Sequence, residues 1–226
     1  MPRETFQREL DQLVEDVVSL GREVEASMDT MVEAMQGQDA EIARRVIGID
    51  TGYKERGLEL DEECILLQAR DLRLIYTVQA VTNHLVRAGT LCEHICHAIA
   101  DTGGVERDPE LASTLSEMAR AARNLFHEGL NVFEVRDIDR ARDLEAADDR
   151  VDLLYSEAMN LIVNPSGNGG GSPEWRIRAA LMVHYLERIA DHGVDIGGRT
   201  VFLVTGERME SAMQQYRQRR VESDED

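Results

Sequence analysis

A chain of 226 residues with 42% apolar, 31% charged and only 4% aromatic side chains has the composition of a soluble globular protein with an aliphatic core. At about this length ~70% of the unfolded surface is buried on folding, enough for one large or two small helical domains. The formal net charge of −19 repels polyanions and argues against nucleic acid and anionic lipid as direct partners, and no run of about 18 apolar residues is present to insert in a membrane.

The basic side chains are almost all Arg, with Lys54 the only lysine. Cations and basic protein faces are the partners such a charge favours. The N-terminal MPRETFQREL lacks the apolar segment of a signal peptide, so a cytoplasmic protein is expected. Cys64, Cys92 and Cys96 make an odd count with no secretory context, which argues against a disulfide framework.

In chain order, Phe6, Leu10, Leu13, Val17, Leu20, Val24, Met28, Met31 and Met35 recur in steps of three and four, the seam of a long bundle helix. Gly37 and Asp39 end it, with Asp39 placed to cap the next helix. That second helix is predicted over about Ala40–Leu67, with a kink near Gly52 because Gly48, Gly52 and Gly57 each weaken it by ~1 kcal/mol. A third, about Asp71–Ala100, stops at Asp101-Thr102-Gly103-Gly104. Asp108 and Pro109 open the fourth, whose seam is Leu111, Leu115, Met118, Ala122, Leu125, Gly129 and Val132. Asp137 caps a fifth over about Ile138–Val163. The segment 164–173, NPSGNGGGSP, is a loop. The sixth helix runs to about Val204, with Leu181, Met182, Tyr185, Leu186, Ile189 and Ile196 at helical spacing. No strand pattern competes.

The six helices read as two copies of three. At a shift of 98 residues, Val17, Leu20, Val24, Met28 and Met35 fall on Leu115, Met118, Ala122, Phe126 and Phe133, and Asp39 falls on Asp137. At a shift of 101, Leu85 and Ile95 fall on Leu186 and Ile196. The fold class expected is all-α, two tandem pseudo-symmetric three-helix bundles over 1–104 and 105–208, with 209–226 a disordered tail.

Two carboxylate pairs at i,i+4 stand out in the second copy: Asp148 and Asp152 on the fifth helix, Glu187 and Asp191 on the sixth, the latter extended by Asp195. Such residues stack one turn apart, and like charges stacked this way repel unless something positive offsets them. Facing helices that supply several oxygen ligands suit hard cations. An acidic helix face is also commonly just solvated, and a D-x-x-x-D spacing does not separate the two.

DIDRARDLEAADDRVDLLY followed by HYLERIADHGVDIGGRTVFLVTGE resembles the second half of a PhoU-family phosphate-uptake regulator, with LERIADH and LVTGE the most specific parts. DAEIARRVIGIDTGYKERGLELDEE followed by DLRLIYTVQAVTNHLVRAG resembles the first half. The resemblance implies six helices in two pseudo-symmetric bundles. It implies Glu/Asp-x-x-x-Asp motifs that hold metal clusters in some members, matched here by Asp148, Asp152, Glu187 and Asp191. The ions would be divalent or ferric. It further implies a cytoplasmic, non-catalytic regulator, frequently a homodimer, that restrains phosphate uptake and starvation signalling. The implied partners are the phosphate transporter's ATPase subunit and, in many bacteria, a sensor histidine kinase. A PhoU-like accessory of another phosphate or cation permease is the alternative. A ferritin-like di-metal enzyme fits less well, because Glu187 is followed three residues on by Ala190 and not by His.

The first copy departs from the motif: Asp50 is followed by Lys54, and Val86 and Thr90 stand where carboxylates would, so no cluster is expected there, and Lys54 is placed to neutralise Asp50. Cys92/Cys96 and Glu93/His97 are i,i+4 pairs with zinc-ligand chemistry, but they point in different directions around the helix, and buried apolar thiols are the preferred reading. His192 is expected at the bundle edge, and Arg87 and Arg188 in salt bridges with neighbouring carboxylates. No glycine loop opens a helix in the manner that cradles free phosphate.

Overall fold

In a computed structural model of the chain the described residues are 3–67, 72–102, 104–165 and 171–206. Among these residues seven helices follow in order: α1 Arg3–Gly37, α2 Ala40–Arg44, α3 Asp50–Leu67, α4 Leu72–Asp101, α5 Pro109–Val135, α6 Ile138–Val163 and α7 Pro173–Thr205. The all-α expectation holds, and the start of the third predicted helix at Asp71, half of the glycine loop and the tail fall outside the described residues, as does the side chain of Phe6.

The remaining seam residues of α1, Leu10 to Met35, are all buried, as are those of α5 from Leu111 to Val132. Apolar residues three and four apart lie on one side of a helix, so burying that side removes a continuous stripe from water. On α7 the buried stripe is Met182, Val183, Leu186, Ile189 and Ile196, whereas Leu181 is 46% exposed, outside the arc that α4, α5 and α6 cover.

Three aspartates cap as predicted. Asp39 accepts from the N–H groups of Glu41 and Ile42, Asp108 from those of Glu110 and Leu111, and Asp137 from that of Arg140, satisfying donors that a helix start leaves unpaired. The repeat extends to the backbone. Gln38 and Arg136, 98 residues apart, both take a left-handed φ, 51° and 57°, directly before their capping aspartates.

The second predicted helix is broken, and the break lies at Gly48 instead of Gly52. Gly48 adopts φ 95°, open to glycine and strained for other residues, and its N–H donates to Glu93 Oε1 at 2.7 Å. Gly52 lies inside α3. The repeat-equivalent of Gly48 is Ala146, and there α6 runs on unbroken.

Helices α1, α3 and α4 pack together, as do α5, α6 and α7. The two groups meet along α4–α7 and α1–α5, and one hydrophobic cluster runs through both. Helix α7 therefore touches α4 on one side and α5 and α6 on the others, which makes it the element on which candidate sites converge.

Candidate metal centre

Close approaches hold α7 in place. A Cβ on Gly197 would meet Leu144 Cδ1 at 2.4 Å and Ala141 O at 3.3 Å, so α6 rides directly on α7 there. Gly193 is in backbone contact with Phe126 and Leu125 of α5. With α7 pinned on these faces, Glu187 and Asp191 are presented to the same field as Asp148 and Asp152 of α6.

The electrostatics of that field are unusual. Asp148 is half-buried and its carboxyl is pushed up to about 6, by burial first and then by Asp152, Asp191, Glu187 and Asp149. Asp191 is raised as well, by lost hydration on its protein-facing side and then by Glu187, Asp195 and Asp152, with Arg188 pulling it down. Asp152 and Asp191 are open to solvent, while Glu187 is half-buried and its Oε2 lies 3.2 Å from His184 Nδ1.

The four predicted residues thus act on one another across the α6–α7 seam, but their oxygens do not share one tight sphere. Among the described residues, the side chains whose ligand atoms all lie within 4.8 Å of one another are His84, His192 and Asp195. The all-oxygen donor set fits a hard cation. So does a half-buried Asp148 whose carboxyl is raised by burial and then by its neighbours' charges, since a cation there would favour its ionised form.

The raised Asp148 carboxyl has a testable consequence. Its ordinary value is 3.8, so between pH 4 and 6 the folded state holds a proton that the unfolded state has released. Stability contributed by this group is therefore full at low pH, falls as pH rises through that window and stays low above it. Asp148→Asn is expected to stabilise the chelator-treated protein by about 1 kcal/mol at pH 7, after discounting for solvent screening, and by nothing at pH 4. Urea unfolding at the two pH values checks this.

Several other expectations are revised. Asp195 does not extend the stripe toward α6: it turns to α4, with Oδ2 3.5 Å from His84 Nδ1. His192 is not at the bundle edge but 7% exposed, because α4 lies over it and its Nδ1 is 3.2 Å from His84 Nδ1. Among the described residues neither Arg87 nor Arg188 closes an ion pair within 4.0 Å; their charges act at longer range, Arg188 on Asp191 and both on His192.

Cys64, Cys92 and Cys96 are free and buried, consistent with the apolar reading. Burial followed by Asp61 and Glu63 pushes the Cys64 thiol up to about 12, and the Cys96 hydrogen bond with burial raises Cys92. Glu93 is engaged by Gly48 N–H and lies 3.8 Å from His97, while His94 packs on Tyr185, so these groups diverge. In the first repeat Val86 packs against the core and the Thr90 hydroxyl donates to Val86 O, which leaves no ligand set at those positions; the Asp50 side chain lies outside the described residues. The spacing of α4 gave no sign of His84, because its partners come from the other repeat.

A sequence model of the PhoU domain matches the chain twice, over residues 17–99 and 115–200. The chain belongs to the PhoU family. It is 25% identical to the phosphate-specific transport system accessory protein PhoU homolog of Clostridium acetobutylicum, covering 93% of this chain and 99% of that one. It is 26% identical to the phosphate-specific transport system accessory protein PhoU of Escherichia coli K12, over 89% of this chain and 86% of the relative. The fold is shared with two crystal structures. One is the phosphate transport system regulatory protein PhoU of Streptococcus pneumoniae (TM-score 0.80, 22% identity, 89% of this chain and 98% of that one). The other is PhoU of Pseudomonas aeruginosa (TM-score 0.82, 24% identity, 89% and 100%). Each PhoU-domain match ends within the C-terminal part of its repeat's last helix, α4 or α7, and the second holds the full set Asp148, Asp152, Glu187 and Asp191.

Proposed function

We propose that this protein is an accessory regulator of phosphate transport that restrains phosphate uptake and phosphate-starvation signalling from the cytoplasm. The observation that carries the reading is the double PhoU-domain match on a two-repeat helical fold. Relatives named as phosphate-specific transport system accessory proteins, matched over nearly their whole length, support it. No helix among the described residues is long and apolar enough to cross a membrane, so any action on a transporter is by docking. The partner we assign is the transporter's ATPase subunit, with a sensor histidine kinase as a second target. Two copies would form a homodimer, which sedimentation of the purified protein checks.

Asp148, Asp152, Glu187 and Asp191 would hold divalent or ferric ions. Bound there, metal supplies positive charge that offsets the carboxylates and ties α6 to α7. The protein's own residues contribute a fixed acidic face whose shape depends on whether that repulsion is relieved. Support for the site is the raised carboxyls of Asp148 and Asp191, each pushed up by burial and then by other carboxylates of the set.

Affinity capture of the tagged protein from phosphate-replete cells is expected to bring down the phosphate transporter's ATPase subunit. Recovery of another permease's components in its place would move the reading to an accessory of that system. Replacing Glu187 and Asp191 by Ala is expected to reduce the metal that co-purifies without chelator, measured by elemental analysis; unchanged stoichiometry would remove the α6–α7 site.

A further inference from the structure

Where α4 crosses α7, at the junction of the two repeats, His84 meets His192 and Asp195. His84 Nδ1 lies 3.2 Å from His192 Nδ1 and 3.5 Å from Asp195 Oδ2, and ligand atoms of all three fall within 4.8 Å of one another. His192 is 7% exposed and its Nε2 is buried with no hydrogen-bond partner. Exposure rises outward from there, so the group forms a pit that opens to water at Asp195.

Hydrogen bonding alone leaves this group unsatisfied. An imidazole nitrogen carries at most one hydrogen. If His84 Nδ1 bears it, the hydrogen goes fully to His192 or to Asp195, not to both. If His192 Nδ1 bears it, His84 turns a bare lone pair toward the Asp195 carboxylate. Three ligand atoms drawn together around at most one usable hydrogen need an explanation, and an ion is one of the few available.

A cation resolves the contacts. A tetrahedral ion with bonds of about 2.0–2.1 Å spaces its ligand atoms by roughly 3.3–3.4 Å, a value that the two measured separations bracket. Burial strips most of the hydration from both rings, His192 most completely. Two imidazoles and one carboxylate suit Zn²⁺ and its neighbours, whereas the α6–α7 set is all oxygen.

We propose that His84, His192 and Asp195 form a second metal site, for a Zn²⁺-class transition-metal ion, which clamps α4 of the first repeat to α7 of the second. Water takes the open fourth position on the Asp195 side. The unbraced His192 Nε2 and the nearby Arg87, Arg188 and Arg199 keep affinity below that of a fully supported site. The site does not depend on the phosphate-transport reading or on the carboxylates of α6.

The test is a Co²⁺ titration of the chelator-stripped full-length protein, followed by visible absorption, with Zn²⁺ as competitor. An intense tetrahedral band is expected to saturate at about one equivalent and to bleach on adding about one equivalent of Zn²⁺. His84→Gln and Asp195→Asn, both on the open side of the pit, are each expected to weaken Co²⁺ binding about tenfold or more with helical circular dichroism retained. Glu187→Ala/Asp191→Ala is expected to keep the band, since octahedral Co²⁺ on carboxylates absorbs only weakly. A folded wild-type protein without the intense band, or a band that persists in both His84→Gln and Asp195→Asn, overturns the proposal. Either outcome leaves the metal content of the α6–α7 site and the capture experiment to stand or fall separately.

Discussion

Gly193→Ala is expected to lower stability by about 3 kcal/mol, near the upper end for overpacking, and the midpoint of thermal unfolding by about 10 °C. The new Cβ would meet Phe126 Cα at 2.8 Å, Leu125 O at 2.9 Å and Phe126 N at 2.9 Å, all main chain of α5. Main chain inside a helix cannot swing aside as a side chain does, so α7 and α5 have to separate along their whole contact. Gly129→Ala presses on the same point from the other helix, at 2.3 Å from Gly193 O, and a similar loss is expected. Because both substitutions demand the same separation, the double variant should cost clearly less than the sum. Gly52→Ala is the contrast: nothing lies within 4 Å of a Cβ there and Gly52 is helical, so a gain of about 0.5–1 kcal/mol is expected. Differential scanning calorimetry of the four variants checks the set, and a Gly193→Ala protein as stable as wild type would refute the close packing of α5 on α7.

Arg22→Leu is the second large effect, an expected loss of about 3 kcal/mol. Arg22 sits where α1 meets α5. Its Nη1 donates to Glu25 Oε2 at 2.8 Å, and its Nη2 to Asn131 Oδ1 at 2.8 Å and Glu134 Oε2 at 2.6 Å. Glu25 is only 4% exposed and also contacts His127, whose Nε2 lies 3.0 Å from Asn131 Nδ2. Removing the guanidinium leaves a buried carboxylate with a single imidazole for support, and an under-compensated buried charge costs more than the pair contributed when intact. Adding Glu25→Gln to Arg22→Leu is expected to recover part of the loss, because no buried charge then remains. Arg56→Leu, which breaks an exposed 3.0 Å pair with Glu23, is expected to cost under about 1 kcal/mol. Urea unfolding of these variants decides it; equal losses for Arg22→Leu and Arg56→Leu would show that the α1–α5 network adds nothing to its burial.

The carboxylates of the second repeat illustrate how far spacing reaches. At about 100° per residue, Asp191 lies about 40° and Asp195 about 80° around α7 from Glu187. Spacing puts all three on one broad face but does not say what lies opposite each edge of it. The structure sets α6 against the Glu187–Asp191 edge and α4 beyond Asp195, so a stripe read as one unit divides between two neighbours. The burial of His192 is hidden from the sequence for the same reason: its position on the helix is certain, and its burial depends on α4 from another part of the chain. The break at Gly48 has a different cause. Three glycines were available, and a residue's φ is chosen by the turn that tertiary packing needs, which the local sequence does not record.

What the chain's own order determined is everything that depends on neighbours within a few turns. The seams of α1 and α5 and the capping aspartates Asp39, Asp108 and Asp137 follow from contacts between residues three or four apart, or from a side chain bonding the next turn's N–H, and the twofold repetition is legible because seam and cap recur 98 residues on. The pairing of Arg22 with Glu134, the touch of Gly129 on Gly193 and the meeting of His84 with His192 join residues 112, 64 and 108 positions apart. No local periodicity encodes these. They exist because two similar bundles dock through α1–α5 and α4–α7, and only that docking decides which helix faces come together.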